Sequence, residues 1–375
     1  MIPFNKPFLI GHELKYIEQA VHSGKISGNG KFTKLCQQYF EEKYGFKKAL
    51  LTTSCTDALE MTAILANIKE GDEVIVPSYT FVSTALAFVR QGAKIVFADS
   101  YSDNPNIDAD NIENLITSKT KAIVPVHYAG VACDMDKIMN LASKYNLVVI
   151  EDAAQAIDSF YTGIDGVKRP LGSIGHMVAF SFHETKNIIS GEGGMIAIND
   201  CRFSERAEII WEKGTNRAQF FRGEIDKYGW VDTGSSFLPS EVIVAFLWGQ
   251  LENLDVIQNK RKKLWEYYYK KIKPLAKKLE IEIPYVPNYA TNNGHMFYLK
   301  FNSLAQRTKY IEKLKKQNVQ AVFHYISLHS SVFYASKHDN RTLENSDKFT
   351  DLLLRLPMYF ELTEDDIDTI VDCFK

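Results

Sequence analysis

The sequence predicts an α/β protein in which helices cover a mostly parallel sheet and a smaller α+β domain follows. Over the first two thirds of the chain, short apolar runs alternate with amphipathic helical segments, a pattern typical of βαβ units. In the last third, helical patterns dominate and strands are few. Because 375 residues are more than one hydrophobic core usually holds, we expect a large domain at residues 1–250 and a small C-terminal domain at residues 251–375.

Seven apolar runs of the large domain are predicted to be strands. Helical patterns such as residues 57–68 and 134–145 separate the first five, and their apolar residues recur at three- and four-residue spacing. The last two runs follow each other closely, with only a loop around Lys186 between them. The runs are LLTTS (50–54), EVIVPS (73–78), AKIVFAD (93–99), KAIVPVHY (121–128), LVVIEDAA (147–154), HMVAFSF (176–182) and GGMIAIND (193–200).

The small domain is preceded by an almost continuous helical pattern from Pro239 to about Leu275. A pattern of this length predicts a helix, whole or broken, that crosses between the domains. After it we predict a strand pair, a helix, a single strand and two closing helices. The segments are EIEIP (280–284) and HMFYLKF (295–301) for the strand pair, 305–317 for the helix, and VQAVFHY (319–325) for the single strand.

Charge and composition exclude several classes of protein. The 44 lysines and arginines nearly balance the 46 aspartates and glutamates, which argues against nucleic acid or an anionic membrane as the main partner. No stretch reaches the roughly 18 apolar residues of a membrane span, and the N-terminus lacks the basic-then-apolar order of a secretory signal. Five scattered cysteines without Cys-x-x-Cys, and histidines without helical ligand spacing, predict reduced thiols in the cytoplasm and no metal site.

Polar residues cluster where the predicted strands end, which is where open α/β sheets bind ligands. Thr53–Asp57 lies between a strand and a helix, so its hydroxyls and free N–H groups form either an anion site or a plain helix cap. Glu151–Gln155 places carboxylates at the mouth of a buried strand, either for a cationic ligand or for a cap or structural salt bridge.

Two further strand ends carry a lysine and aromatic rings. Phe180–Asn187 places Lys186 just past an apolar strand, either as a surface residue or as a partly desolvated amine that attacks carbonyls. Pro77–Phe81 offers rings that either stack on a flat ligand or fill the core. An anion site, a carboxylate, a lysine and a stacking ring are together the complement of pyridoxal 5'-phosphate, so we predict this cofactor.

Over nearly its whole length the chain also resembles the DegT/StrS family of sugar aminotransferases. The matching stretches are SGKISGNG (23–30), TTSCTDALEM (52–61), GDEVIVPSYTFVSTA (71–85), VPVHYAG (124–130), VIEDAAQA (149–156), SFHETKN (181–187) with GEGG (191–194), and VFHYISLH (322–329). The resemblance implies the type I, aspartate aminotransferase-like fold with a seven-stranded sheet. It also implies a homodimer with active sites at the subunit boundary.

The resemblance assigns a role to each matching residue. Lys186 would form the Schiff base with the cofactor, and Asp152 would pair with the ring nitrogen. The other implied cofactor residues are Gln155 beside the ring hydroxyl, Phe81 against the ring face, and Cys55, Thr56 and Ser181 at the phosphate. The chain departs from the family's pattern in Gly234–Leu238, where Ser236 would replace an asparagine that reaches the partner subunit's phosphate. It departs again in Tyr325–His329, where a proline is replaced by serine.

The reaction implied by the resemblance is ping-pong transfer of an amino group from L-glutamate to a nucleotide-linked keto-6-deoxy-sugar. The implied acceptor is dTDP-4-keto-6-deoxyglucose, with an axial 4-amino product used in polysaccharide biosynthesis. The residues expected near the sugar nucleotide are His183, Arg217, His324, Tyr325 and His329.

Several alternatives stay open at this point. Within aminotransferases, the acceptor is instead a 3-keto sugar, or the 4-amino product is equatorial. Sugar dehydratases of the same fold carry histidine where Lys186 stands, so the lysine disfavours that reaction. The intact set of Asp152, Gln155 and Lys186 argues against a non-catalytic binding protein.

Overall fold

Two sheets and a short hairpin organise the chain in a computed structural model that describes residues 1–375. The strands are β1 (Lys48–Thr52), β2 (Glu73–Pro77), β3 (Lys94–Ala98), β4 (Thr120–Ile123), β5 (Val148–Asp152), β6 (Phe160–Thr162), β7 (Lys168–Pro170), β8 (Met177–Ser181), β9 (Gly194–Ile198), β10 (Phe297–Lys300), β11 (Val322–Phe323) and β12 (Leu353–Leu356). The large sheet has the order β1-β9-β8-β5-β4-β2-β3, the small sheet has the order β10-β12-β11, and β6 pairs with β7.

Helices lie on both faces of the large sheet and beside the small one. They are α1 (Glu13–His22), α2 (Lys31–Tyr44), α3 (Cys55–Leu65), α4 (Ser83–Val89), α5 (Met135–Tyr145), α6 (Ser204–Trp211), α7 (Arg217–Phe221), α8 (Glu241–Leu251), α9 (Leu254–Leu279), α10 (Leu304–Lys316), α11 (Glu344–Leu352) and α12 (Glu364–Asp372).

All strands of the large sheet except β9 run in the same direction. β5 pairs parallel with β4 and β8, and β2 pairs parallel with β3 and β4. β9 is antiparallel to both of its neighbours, β1 and β8. The carboxyl ends of six strands therefore meet at one edge of the sheet. The predicted fold class, a mostly parallel sheet covered by helices, is confirmed.

Two hydrophobic clusters cover opposite faces of the large sheet. Val149 belongs to the cluster that includes residues of α2, α5 and α8, whereas its neighbour Ile150 belongs to the cluster with residues of α3, α4 and α6. Successive strand side chains point to opposite faces, so a strand buried on both faces must be apolar throughout. This is why the central strands of the sheet are recognisable as unbroken apolar runs in the sequence.

The small sheet differs from the prediction in two places. The segment EIEIP forms no strand and contributes only an isolated bridge between Glu282 and Lys300. The strand β12, which was not predicted, lies between the two closing helices and occupies the centre of the sheet, antiparallel to β10 and β11. The predicted strand at 319–325 shortens to Val322–Phe323.

The long helical pattern after Pro239 forms two helices that break at Glu252 and Asn253. Along α9, the buried residues Ile257, Leu264 and Ile272 recur at helical spacing, and the later ones join the core of the small sheet. None of the helices combines the length and the apolar character that crossing a membrane requires. The predicted division at residue 250 stays a prediction, and it falls at the end of α8.

Candidate active site

A cavity of about 540 Å³ opens at the carboxyl edge of the large sheet. Its walls come from the ends of β1, β2, β5 and β8, as expected for parallel strands that end at one edge. Residues of the small sheet and of the loop before it close the other side. The residues that the sequence predicted and that line this cavity are Cys55, Thr56, Phe81, Asp152, Gln155, Ser181, His183, Lys186, His324 and Tyr325.

The N-terminus of α3 forms one end of the cavity. Ser54 is the N-cap, and its side chain accepts a hydrogen bond from the backbone N–H of Asp57, at 3.1 Å. Cys55 and Thr56 begin the helix, so their N–H groups have no partner within it. Gly194 of β9 lies directly against this turn, because a Cβ built there would stand 2.4 Å from the nitrogen of Cys55. The segment is a helix cap, and it also has the chemistry of an anion site.

Asp152 ends the central strand β5, and only 5% of its surface is exposed. One carboxylate oxygen accepts a hydrogen bond from Thr84 Oγ1 at 2.7 Å, and the other accepts one from the backbone N–H of Ala154 at 3.1 Å. Both donors are uncharged. Burial therefore raises the pKa of Asp152 above its ordinary value, although these hydrogen bonds and the charge of Lys186 oppose the rise. A cation next to this carboxylate would be strongly favoured.

The adjacent carboxylate, Glu151, points the other way and has a structural role. It accepts hydrogen bonds from the His127 ring and from the backbone N–H groups of Gly172, Ile174 and Gly175. Burial alone would raise the pKa of Glu151, but these hydrogen bonds, that from His127 first, lower it overall. Both Glu151 and His127 are fully buried, so the pair fixes the loop that precedes β8.

Lys186 follows β8 in a tight turn in which its backbone N–H donates to the carbonyl of His183 at 2.8 Å. Its side chain is half-buried and lines the cavity. Burial lowers the pKa of Lys186, and the positive charge of Arg355 lowers it further, whereas Cys55 and Asp152 act in the opposite direction. A larger fraction of this amine is therefore neutral at a given pH than of an exposed lysine, as a nucleophile or general base requires.

Gln155, Tyr325 and Phe81 line the cavity around these charged groups. The Gln155 side-chain oxygen accepts a hydrogen bond from the backbone N–H of Ala129 at 2.7 Å, and its nitrogen donates to the Tyr325 hydroxyl at 3.2 Å. The ring of Phe81 lies 6.1 Å from that of Tyr325 and is 55% exposed. An exposed ring at the mouth of a polar cavity is available to stack on a flat ligand.

Ser181, His183 and His324 complete the predicted set inside the cavity. The His183 ring is hydrogen-bonded to Thr185 Oγ1 at 3.0 Å, so it is held toward its own loop. The His324 ring is hydrogen-bonded to the Tyr128 hydroxyl at 2.7 Å. Burial brings the pKa of His324 well below its usual value, which keeps this ring neutral.

Three predicted site residues lie outside the cavity. His329 is buried, with its Nδ1 2.7 Å from Ser78 Oγ, and it contacts the carboxylate of Asp347 at 3.6 Å, so it does not reach the position expected of a substrate residue. Ser236 and Arg217 line a separate surface pocket of about 930 Å³. The other cations of that pocket are Lys25, Lys34 and Lys213.

Sequence reasoning missed several residues of the site, among them Thr84, His295 and Arg355. Thr84 donates to Asp152, and His295 and Arg355 line the cavity from the small-domain side. Arg355 had a signal in the sequence, because it is the only polar residue within the run LLLRLP. The roles of Thr84 and His295 depend on long-range packing, and the residues around them in the sequence give no sign of them.

Comparison with protein families gives a match over almost the whole chain. The model of the DegT/DnrJ/EryC1/StrS aminotransferase family matches residues 8–375. An uncharacterized protein of Methanocaldococcus jannaschii is 32% identical over 382 residues, which cover 100% of this chain and 97% of that protein. The spore coat polysaccharide biosynthesis protein SpsC of Bacillus subtilis is 29% identical over 387 residues, with 100% and 96% covered.

Solved structures with the same architecture include other aminotransferases. The aminotransferase from Psychrobacter cryohalolentis superposes with a TM-score of 0.90 at 26% identity, covering 99% of this chain and 98% of that one. The aminotransferase TlmJ from Streptoalloteichus hindustanus gives 0.89 at 25% identity, covering 100% and 97%. At this extent of similarity, nearly every part of the fold has a counterpart in these structures.

Proposed function

The chain belongs to the DegT/DnrJ/EryC1/StrS aminotransferase family, and we propose that it transfers an amino group from L-glutamate to a nucleotide-linked keto-6-deoxy-sugar. Aminotransferases of this family use pyridoxal 5'-phosphate. The observation that carries the proposal is the meeting of a lysine, a buried carboxylate and a helix N-terminus in one cavity. We further propose that the acceptor is dTDP-4-keto-6-deoxyglucose and the product dTDP-4-amino-4,6-dideoxygalactose.

The residues of the cavity fit the cofactor by their chemistry. The Asp152 carboxylate has only uncharged hydrogen-bond donors, and a protonated ring nitrogen supplies the missing cation. The free N–H groups of Cys55 and Thr56, with the Ser181 hydroxyl, suit the phosphate. When bound, the cofactor supplies a ring that accepts the electrons released from the substrate carbon.

In this assignment, each residue has a separate task. Lys186 binds the cofactor and then, as a free amine, takes the proton from Cα of the donor and returns one to the acceptor carbon during the second half of the reaction. Asp152 holds the proton on the ring nitrogen. Phe81 restrains the cofactor ring by contact with its face. Gln155, which is held by its hydrogen bond with Tyr325, orients the ring hydroxyl beside the reacting carbon.

A sugar acceptor is supported by relatives and by motifs. SpsC is named for polysaccharide biosynthesis. The stretches VPVHYAGVACDMD (124–136), FSFHETKN (180–187) and EKGTNRAQFFRG (212–223) resemble dTDP-4-amino-4,6-dideoxygalactose transaminase. We propose a cytoplasmic homodimer in which Arg217 and its neighbouring lysines provide positive charge for the pyrophosphate of the sugar nucleotide.

The test is incubation of the purified enzyme with L-glutamate and a panel of nucleotide-linked 4-keto and 3-keto sugars, read by mass spectrometry. We expect 2-oxoglutarate and an aminated sugar nucleotide, most rapidly with dTDP-4-keto-6-deoxyglucose. Proton NMR of the product should show a small coupling between H3 and H4, which marks an axial amine. A large coupling would contradict the galacto product and leave the aminotransferase assignment intact. Loss of water from the sugar without transfer of nitrogen would support a dehydratase instead.

A further inference from the structure

We propose that His295 positions Lys186 for proton transfer, by accepting a hydrogen bond from the Lys186 amine whenever that amine is free of the cofactor. This inference rests on the aminotransferase function proposed above. His295 is buried, yet it lines the same cavity as Lys186. Within the chain, the His295 ring is hydrogen-bonded only through Nδ1, and the Lys186 amine has no partner.

Three hydrogen bonds hold His295 in the segment before β10. Its backbone N–H donates to Asn293 Oδ1 at 3.0 Å, and its carbonyl oxygen accepts from Arg261 Nη2 at 2.8 Å. Its ring Nδ1 lies 2.8 Å from Oδ1 of Asn187, the residue directly after Lys186. The ring is therefore tied to the turn that carries Lys186.

The same network fixes which ring nitrogen carries the proton. Asn187 Nδ2 lies 2.9 Å from the carbonyl oxygen of Asn293, and a carbonyl only accepts, so this end of the Asn187 side chain must be its NH2 group. The Asn187 atom that faces His295 is then the amide oxygen, which also only accepts. Nδ1 of His295 must therefore carry the proton. In a neutral ring, this leaves Nε2 as an acceptor.

The surroundings of His295 keep its ring neutral. Burial brings the pKa of His295 well below its usual value, and the positive charges of Lys186, Arg355 and Arg261 lower it further. No carboxylate acts in the opposite direction. Of the three charges, that of Lys186 has the largest effect, in keeping with its place in the same cavity.

The other two buried histidines have no such free acceptor. His127 uses both ring nitrogens, Nε2 toward Glu151 at 2.8 Å and Nδ1 as acceptor for the backbone N–H of Cys133 at 3.2 Å. His329 also has a partner on each side of its ring. Neither of them lines the cavity. His295 is thus the buried histidine whose ring can still accept a hydrogen bond there.

The chemistry of a free amine explains what this acceptor does. A neutral amine has two N–H donors and one lone pair, and as a base it must point the lone pair at the proton that it takes. A hydrogen bond from one N–H to His295 Nε2 restricts rotation of the Lys186 amine and leaves the lone pair for Cα of the substrate. Once protonated, the amine is stabilised by the same acceptor. A carboxylate in this place would hold the amine protonated, whereas a neutral imidazole lets it return the proton.

The first test measures the basicity of Lys186 in the apoprotein. Only a neutral amine forms a Schiff base, so the rate at which added pyridoxal 5'-phosphate becomes covalently bound falls as the amine is protonated. His295→Asn removes the acceptor that stabilises the ammonium form, so the midpoint of this pH dependence should lie about 1–2 pH units lower than in the wild type. The other groups that act on the pKa of Lys186, which are Cys55, Asp152 and Arg355, are unchanged in this variant.

The second test follows each half of the reaction on the holoenzyme by rapid mixing. Because Lys186 moves the proton in both halves, His295→Asn should slow the reaction with L-glutamate and that with the keto sugar alike, by about 10- to 150-fold. Deuterium at Cα of glutamate should slow the variant by a larger factor than it slows the wild type, since the proton transfer itself is impaired. The variant is thus expected to form the Schiff base at lower pH and yet to turn over more slowly.

His295→Gln is the matched variant. The amide of glutamine reaches the position of Nε2, whereas the shorter amide of asparagine reaches only that of Nδ1. His295→Gln should therefore keep most of both rates and a pH midpoint near that of the wild type, although it loses the hydrogen bond with Asn187. A merely structural role of His295 predicts instead that the rates fall with the melting temperature in both variants.

Nitrogen NMR of the wild-type apoprotein with labelled histidine tests the tautomer without any substitution in the protein observed. The signals of His295, identified by their absence in His295→Asn, should show a neutral ring with its proton on Nδ1. A proton on Nε2, or a charged ring at neutral pH, would overturn the inference.

The kinetic outcomes that contradict the inference are distinct from one another. A loss confined to the glutamate half or to the sugar half assigns His295 to a substrate, and equal losses in the two variants indicate a structural role. An unchanged or higher pH midpoint in His295→Asn shows that the ring does not accept from Lys186. If the wild type transfers no amino group, the proposed function fails, and the midpoints of the apoprotein still decide whether His295 binds Lys186.

Discussion

Lys186 and Asp152 carry opposite charges, and the same burial shifts both toward the neutral form. The pKa of the lysine is lowered and that of the aspartate is raised. Neither residue has a strong partner of opposite charge that would hold it in the charged state. A ligand that brings a carbonyl to the amine and a cation to the carboxylate therefore gains from both residues at once.

Lys186→Ala should abolish turnover, because no other lysine lines the cavity. We expect a loss of at least about 10²–10⁴-fold, the usual contribution of a positioned acid–base group, together with loss of the covalent link to the cofactor. Steady-state rates and the visible spectrum of the purified protein measure the two effects. Lys69→Ala, which changes an exposed lysine, is the control. Full activity in Lys186→Ala would exclude it as the catalytic lysine.

Asp152→Asn should lower kcat by a larger factor than it raises KM. The amide keeps the size of the side chain but removes the negative partner of the ring nitrogen, an interaction expected to matter most as charge develops in the reaction. Loss of a hydrogen bond to a charged group, about 1.5–3 kcal/mol, corresponds to roughly 10- to 150-fold in rate. The matched change Glu151→Gln should instead lower the free energy of unfolding, since Glu151 accepts four hydrogen bonds and does not line the cavity. Unchanged kcat in Asp152→Asn would make Asp152 a structural residue.

At the scale of elements, the start of α3 is positioned by a glycine on another strand. Gly194 begins β9, pairs with Thr52 of β1, and leaves no room for a Cβ against the backbone of Ser54 and Cys55. The turn proposed to bind the phosphate is thus fixed by contact between two backbones, and the side chains of α3 play little part in this contact.

Gly194→Ala should displace the first turn of α3 and weaken cofactor binding. Overpacking of this kind typically costs about 1–3 kcal/mol of stability, and here the strain falls on the turn proposed to hold the phosphate. Titration of the apoprotein with pyridoxal 5'-phosphate measures the affinity, and thermal unfolding measures the stability. Gly229→Ala is the control, because a Cβ at Gly229 meets nothing within 4 Å. An unchanged affinity would show that the phosphate does not depend on this turn.

The sequence predicted well those strands that are buried along nearly their whole length. Residues 148–152 and 177–181 are buried on both faces, so their apolar runs stand out. β12 was missed because it follows α11 without a break, and because Arg355 interrupts its apolar run. The cluster around Lys186 could be predicted because each of its residues lies just after the end of a strand. The position of His329, by contrast, depends on its contact with Ser78, 251 residues away in the sequence.

At the scale of the whole molecule, the predicted residues fall into two pockets. Lys186 and Asp152 line one, and Ser236 and Arg217 line the other. A two-fold dimer, the commonest form of oligomer, offers a way to bring one subunit's second pocket against the partner subunit's cavity. This arrangement is what the proposed homodimer requires.

Ser236→Ala should weaken cofactor affinity by about 1.5–3 kcal/mol if its hydroxyl reaches the phosphate of the partner subunit. Ser235→Ala, one residue earlier and also exposed, should have no effect. Mixed dimers give a sharper result. A dimer of one Lys186→Ala subunit and one Ser236→Ala subunit should contain one fully intact site if the contact crosses between subunits. No intact site is expected if the contact stays within a subunit, and that outcome would contradict the proposed arrangement.

The pairing of β1 with β9 also means that the two partner strands are synthesised at different times. Thr52 is made early, but its partner Gly194 follows only about 140 residues later. At about 5–20 residues per second, a ribosome needs roughly 7–28 s to make that stretch. During this interval the residues of α3 are already in the nascent chain, but the strand that positions the first turn of α3 is not. A chain stalled just after Lys186 therefore carries Lys186 and Asp152 but lacks Gly194. If the α3 turn binds the phosphate as proposed, we expect such a chain not to bind the cofactor until β9 is made.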